Sequence, residues 1–300
     1  MRRLTLLSLT VAVIFPGIAY SQAIDAQRTA SILVDGVPRE WRMYVPASYS
    51  AGTPKALVID FHGTGASPDQ QAALSQFEVL AEEGGFLVAT PAGEYLRPDA
   101  GQVSWNVYRD ETGVDDVQFV RELIETIRAD FSVDPARIYA AGMSGGARMS
   151  SRVACDLSDV IAAIAPVTGI QFPAGCNPTR PVPVITFHGK LDGINHYNHR
   201  ADSPPYWDTG VETSVSRWAA HNRCEGSPDQ EFVTPQVARI SYSDCAEGSS
   251  VVFYRSENAG HTWPGSPRAD RLMELGYGVT NRDVPATRLI WEFFMSHPLY

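Results

Sequence analysis

The sequence predicts an α/β fold in which a mostly parallel central sheet is covered by helices on both faces. Short apolar runs alternate with helical segments through most of the chain, and several runs are continuously apolar, as strands buried on both faces require. A third observation sets the start: strand-like runs at 31–34 and 41–45 are joined through Asp35-Gly36, which predicts an N-terminal antiparallel hairpin.

The elements follow in order. Residues 57–61 read as a buried strand, 69–83 as a helix, and 86–89 as a strand closed by Thr90-Pro91-Ala92-Gly93. Over 114–131, apolar residues recur at Val117, Val120, Leu123, Ile124 and Ile127, the spacing of an amphipathic helix, with Asp115 and Asp116 suited to its positive end. Residues 137–141 form the next strand and 145–155 the helix after it. Runs at 161–167, 182–187 and 251–254 complete the series. In such sheets the active groups sit beyond the carboxyl ends of the strands, which directs attention to the loops after Phe61, Ala141, Phe187 and Tyr254.

The 300 residues are 44% hydrophobic and 19% charged, with a net charge of −10 at pH 7. An acidic chain repels a phosphate backbone, so nucleic-acid binding is not expected. Residues 1–23 read as a secretory signal peptide: Arg2 and Arg3 precede an apolar run over 4–19, and Ala19-Tyr20-Ser21 or Ser21-Gln22-Ala23 offers small residues for cleavage. Thr5, Ser8, Thr10, Pro16 and Gly17 interrupt that run, which argues against a membrane anchor. Residues 24–300 show no repeat or linker and are expected to form one domain, exported to the periplasm or the medium. Oligomeric state is not legible. The cysteines agree with export, since Cys155, Cys176, Cys224 and Cys245 are even in number. Loop closure favours Cys155 with Cys176 and Cys224 with Cys245, each closing a loop of about 20 residues.

The chemistry starts at Gly142-Met143-Ser144-Gly145-Gly146, a G-x-S-x-G run between a strand and a helix. Its glycines let the chain turn sharply enough to expose Ser144 as a nucleophile, and the following helix points its positive end at the same spot. His261, on the Gly/Pro-rich loop Gly260-His261-Thr262-Trp263-Pro264-Gly265, is the candidate base. The order Ser, acid, His of the α/β-hydrolases places the acid between them. Asp192 directly follows a well-formed strand, while Asp202, Asp208 and Glu257 compete for the role. Thr64, Gly65 and Gly145 are candidate oxyanion donors, with His62 bracing their loop. Trp105, Trp263, Tyr197 and Trp207 lie in loops where their rings could stack on a phenolic ring or a sugar. Asp192, His196 and His199 could be drawn as a metal site, but the triad already claims the aspartate, so neither metal nor cofactor is expected.

With these residues in hand, the sequence resembles the secreted feruloyl esterase and polyhydroxybutyrate depolymerase family, relatives of the carbohydrate esterases that include acetylxylan esterases. The resemblance rests on His62-Gly63-Thr64-Gly65, Trp105-Asn106, Val114-Asp115-Asp116-Val117, Arg137-Ile138-Tyr139, the serine motif, Ala165-Pro166-Val167, His188-Gly189 before Asp192, Tyr242-Ser243-Asp244-Cys245 and the His261 loop. It implies an α/β-hydrolase fold, a Ser144, Asp192 and His261 triad, and metal-free ester hydrolysis. Feruloyl or acetyl esters of plant polysaccharide are the expected substrates, with polyhydroxybutyrate or 3-hydroxybutyrate oligomers as the alternative. Two places depart from the pattern: Asn258-Ala259 replaces a frequent glycine, and Gly189-Lys190-Leu191-Asp192 differs from the commoner G-T-x-D. A noncatalytic exported binding protein on the same fold is the rival from another class.

Overall fold

The computed structural model describes residues 26–299, so the leader expected at 1–23 lies outside the described residues. The strands are β1 Gln27–Val34, β2 Val37–Tyr44, β3 Lys55–Phe61, β4 Leu87–Pro91, β5 Tyr95–Leu96, β6 Val103–Ser104, β7 Val133–Met143, β8 Ala163–Val167, β9 Val184–Gly189, β10 Asp229–Thr234, β11 Val237–Tyr242 and β12 Val251–Ser256. The helices are α1 Pro68–Ser75, α2 Phe77–Gly84, α3 Asp116–Asp130, α4 Gly145–Asp156, α5 Val211–His221, α6 Ala269–Glu274 and α7 Ala286–Met295. None of them is long and apolar enough to cross a membrane.

Ten strands join in one sheet, ordered β1-β2-β4-β3-β7-β8-β9-β12-β11-β10, and β5 pairs separately with β6. The six central strands from β4 to β12 are mutually parallel, and antiparallel pairing flanks them at both ends. At the first edge Asp35 and Gly36 both take positive φ, 50° and 77°, the backbone of the tight hairpin expected there. The β10–β11 hairpin at the other edge was not legible as strands, because β10 is exposed along most of its length and carries Asp229, Gln230 and Glu231.

Alternation along the strands divides the core. Leu57, Ile59 and Phe61 pack with Phe119, Leu123 and Ile127 of α3 and Met149 and Val153 of α4 on one face. Ala56 and Val58 face the other way, with Phe77 and Leu80 of α2 and Ile290 and Phe294 of α7. The helix expected over 69–83 is two helices, because Gln76 adopts a left-handed conformation (φ 60°) that ends α1 and starts α2. Helix α3 begins where its acidic pair predicts: Asp115 caps it by accepting from the amides of Val117 and Gln118.

Candidate active site

Four loops bring the candidate residues to the carboxyl edge of the parallel strands: Thr64 follows β3, Ser144 follows β7, Asp192 follows β9 and His261 follows β12. Asp192 is wholly buried and uses both oxygens. Oδ2 accepts from His261 Nδ1 at 2.8 Å and from His188 Nε2 at 3.1 Å, while Oδ1 accepts from the amides of Ile194 and Asn195, each at 2.8 Å. Burial alone would raise this carboxyl. The charge interaction with His261 and the hydrogen bonds from both imidazoles outweigh it and hold the group well below the usual carboxylate range. A carboxylate bound this way fixes the His261 tautomer with its proton on Nδ1, leaving Nε2 as the basic nitrogen.

The rival acids are engaged elsewhere, Asp202 with Arg200 and Glu257 with Lys190 and Arg255, and Asp208 is exposed. His196 meets Ser203 Oγ and Arg200, not Asp192.

Ser144 stands half-buried at φ 56° and ψ −113°, a strained conformation for a residue with a side chain, between β7 and α4. A β-carbon on Gly63 would lie 3.5 Å from the Ser144 β-carbon, and one on Gly145 would lie 3.0 Å from the Thr64 nitrogen. The Thr64 loop and the start of α4 therefore run in contact around the serine. Of the three candidate oxyanion donors, Gly65 is already committed: its N–H donates to the Val103 carbonyl at 2.8 Å. Thr64 and Gly145 remain as candidate donors. His62 accepts from the Gly93 N–H at Nε2 (2.9 Å) and meets the Gly63 carbonyl through Nδ1 (2.8 Å). Burial pushes its pKa down, so it is a neutral brace for the loop.

The four aromatics expected to meet substrate are instead built into the fold. Trp105 is buried and donates its indole N–H to the His62 carbonyl at 2.8 Å. Trp263 is buried and donates to Thr287 Oγ1 at 3.0 Å; Trp207 is buried and donates to the His196 carbonyl at 2.7 Å. Tyr197 is 7% exposed, with its hydroxyl on Glu212 at 2.5 Å. Each polar tip has an internal partner, as a buried Trp or Tyr requires, and the rings are spent on holding the active loops. Tyr108, which the sequence did not single out, is 46% exposed.

Two disulfides join Cys155 to Cys176 and Cys224 to Cys245, the expected pairing. Among the described residues, no group of three or more His, Cys, Asp or Glu gathers as a metal site would need. Two surface hollows, of about 160 and 460 Å³, contain none of Ser144, Asp192 and His261 in their walls.

The family described as "Esterase PHB depolymerase" matches residues 40–200, more than half of the chain and the stretch that carries Ser144, Asp192 and the Thr64 loop. The chain belongs to this family. It is 34% identical over 225 residues to "Feruloyl esterase B" of Piromyces equi, covering 72% of this chain and 41% of that protein's length. It is 23% identical over 283 residues to "Feruloyl esterase D" of Neurospora crassa, covering 89% and 85% of the two chains. Among solved structures, the acetyl xylan esterase from Aspergillus awamori aligns with a TM-score of 0.58 at 17% identity, over 84% of this chain and 100% of that one. The fold is that of the α/β-hydrolase esterases.

In this Esterase PHB depolymerase family member, sequence reasoning passed over three buried residues on the elements that carry the site. His188, four residues before Asp192, holds the carboxylate together with His261; its signal was the His188-Gly189 pair ending the strand. Ser104 is buried with its hydroxyl 2.8 Å from that of Thr64, and nothing in the sequence marked it. Arg148, inside the helix that follows the nucleophile, is 1% exposed.

Proposed function

We propose that this chain is a serine esterase that cleaves carboxylic esters through Ser144, His261 and Asp192 and an acyl-enzyme intermediate. The observation that carries the reading is the hydrogen bond of His261 Nδ1 to the buried Asp192, on the same strand edge as a serine held in a strained turn. His261 takes the Ser144 proton as the hydroxyl attacks the ester carbonyl, and Asp192 stabilises the imidazolium that forms. The Thr64 and Gly145 N–H groups face the oxyanion of the tetrahedral intermediate, and water then releases the acid. No step calls for a metal or an organic cofactor.

The substrates favoured by the relatives are feruloyl or acetyl esters of plant cell-wall polysaccharide. The family description favours a second reading, hydrolysis of polyhydroxybutyrate or its oligomers. Burial of the four aromatic rings takes away one argument for a phenolic pocket, so the choice rests on rates. Residues 1–23 serve as a secretion leader in this reading, which N-terminal sequencing of the exported protein tests.

Initial rates on methyl ferulate, p-nitrophenyl acetate and a short 3-hydroxybutyrate oligomer, with Ser144→Ala as control, test the function. Turnover of any of the three that disappears in Ser144→Ala supports the esterase. Equal inertness of the two proteins, together with no labelling of Ser144 by a fluorophosphonate, would leave a noncatalytic binding protein.

A further inference from the structure

Arg148 lies one helical turn after Ser144 on α4, where its N–H donates to the Ser144 carbonyl at 3.1 Å. Side chains on a helix lean toward its N-terminus, so the arginine stem is directed back toward the nucleophile. Four arginines are buried among the described residues, and three face a carboxylate: Arg39 on Asp116, Arg97 on Asp99, Arg152 on Asp156. Arg148 is the exception. At 1% exposure it has no carboxylate within ion-pair reach among the described residues, and its Nε and Nη1 are buried without a hydrogen-bond partner. Buried guanidinium nitrogens without an acceptor are disfavoured, and a guanidinium fork is shaped to receive a carboxylate.

One aromatic ring gathers two arginines around this position. Arg148 stacks 4.5 Å from the centre of the Tyr206 ring and Arg97 4.3 Å from it. Asp99 binds Arg97 directly and its charge also acts on Arg148, but it makes no hydrogen bond to Arg148, whose Nε and Nη1 stay without an acceptor. Tyr206 is pinned through its carbonyl, which accepts from Gln171 Nε2 at 2.7 Å and from the Tyr108 hydroxyl at 3.3 Å. The half-exposed Tyr108 forms the solvent side of the group. In a chain of net charge −10, a buried cation one helical turn after the nucleophile runs against the overall field.

We propose that Arg148 is an anion subsite of the ester-cleaving centre and that the substrate carries a carboxylate a few bonds from the scissile carbonyl. This rests on the esterase reading above and narrows its substrate class to esters of hydroxy acids or of uronates. The two residues stand one helical turn apart, about 5.4 Å along the axis, which places the subsite within a few bonds' reach of the scissile ester. A hydroxyalkanoate oligomer and an acylated acidic polysaccharide share this chemistry.

Two matched pairs distinguish the sources at pH 7: the 3-hydroxybutyrate dimer against its neutral primary amide, and O-acetylglucuronic acid against O-acetylglucose. The readout is the ratio of kcat/KM, charged over neutral, within each protein. The wild type is expected to favour at least one charged member by about tenfold or more, and Arg148→Met to bring that ratio to about one. Arg148→Lys, which keeps the charge but loses the fork, is expected to retain part of the preference. A purely structural arginine would lower both rates and leave the ratio standing, which overturns the proposal. A wild-type ratio near one in both pairs also overturns it, whether or not Arg148→Met folds. Such turnover leaves the esterase reading standing, whereas no turnover of any of these esters or of p-nitrophenyl acetate removes both.

Discussion

Gly146 has no room for a β-carbon, because the Phe61 carbonyl oxygen stands 2.0 Å from where that atom would be. Phe61 ends β3, so the second glycine of the serine motif is where α4 packs against the strand that leads into the oxyanion loop. Backbone cannot rotate aside as a flexible side chain can. Gly146→Ala is therefore expected to lose roughly 3 kcal/mol or more of stability, as well as most activity. Gly52→Ala, where a β-carbon would meet nothing within 4 Å, is the control expected to stay near wild type. Urea unfolding of the two variants checks this. A Gly146→Ala midpoint close to that of Gly52→Ala would contradict the described elbow.

His188 and His261 share one oxygen of Asp192, and their removal should separate positioning from chemistry. Asp192→Asn turns the acceptor for His261 Nδ1 into an ambiguous amide and is expected to lower kcat on the order of 10⁴-fold, through loss of the correct tautomer. His188→Leu removes one of four hydrogen bonds to the carboxylate and leaves the Asn195 carbonyl without its donor. It is expected to lower kcat about tenfold with KM little changed. Equal kcat in wild type and His188→Leu would show that His261 and the loop amides suffice.

The parallel centre of the sheet was legible because its strands are buried on both faces and so read as unbroken apolar runs. The β10–β11 hairpin was not, since an exposed edge strand carries no such run. The proposed triad residues could be named from residue type and order, each standing just past a recognisable strand. The aromatic assignments failed for a different reason. Trp105, Trp207 and Trp263 sit in loops without periodicity, so the sequence held no indication of which way each ring turns, and all three turned inward. Arg148 escaped notice because a charged residue on a helix suggests a solvated face, yet α4 is buried from Gly145 to Cys155.

The Cys155–Cys176 disulfide ties the end of α4 to the loop that also carries Gln171, the residue holding Tyr206. With the cysteines at a sequence separation of 21, opening the bridge frees a loop whose closure is worth about 3 kcal/mol in the chain-entropy account. The double variant Cys155→Ala/Cys176→Ala is expected to unfold earlier in urea by that order, with its m-value raised by a less compact unfolded state. An unchanged midpoint would mean that packing alone holds the loop to the helix.

Asp60 makes the stability of this chain depend on pH in an unusual direction. The residue lies in β3, fully buried, with Oδ1 accepting from Gln71 Nε2 at 2.7 Å and Oδ2 meeting Ser75 Oγ at 2.6 Å. Burial pushes its carboxyl up to about 7, against the pull of both hydrogen bonds. An acid with a raised folded-state pKa binds its proton more tightly when folded. Its contribution to stability is complete below the unfolded value near 4 and is lost as pH rises toward 7, at ~1.4 kcal/mol per unit of displacement. Asp192 has the opposite sign: held low in the folded state, it stabilises above pH ~4 and loses that contribution as acid is added. Asp60→Asn keeps an acceptor for Gln71 and turns its other contact into a donor toward the Ser75 hydroxyl, without the buried charge. It is expected to match wild type near pH 4 and to exceed it increasingly up to pH 7, beyond which the difference levels off. Urea midpoints of the two proteins at pH 4, 5, 6, 7 and 8 test this, and a constant difference across the series would place the Asp60 titration outside this range.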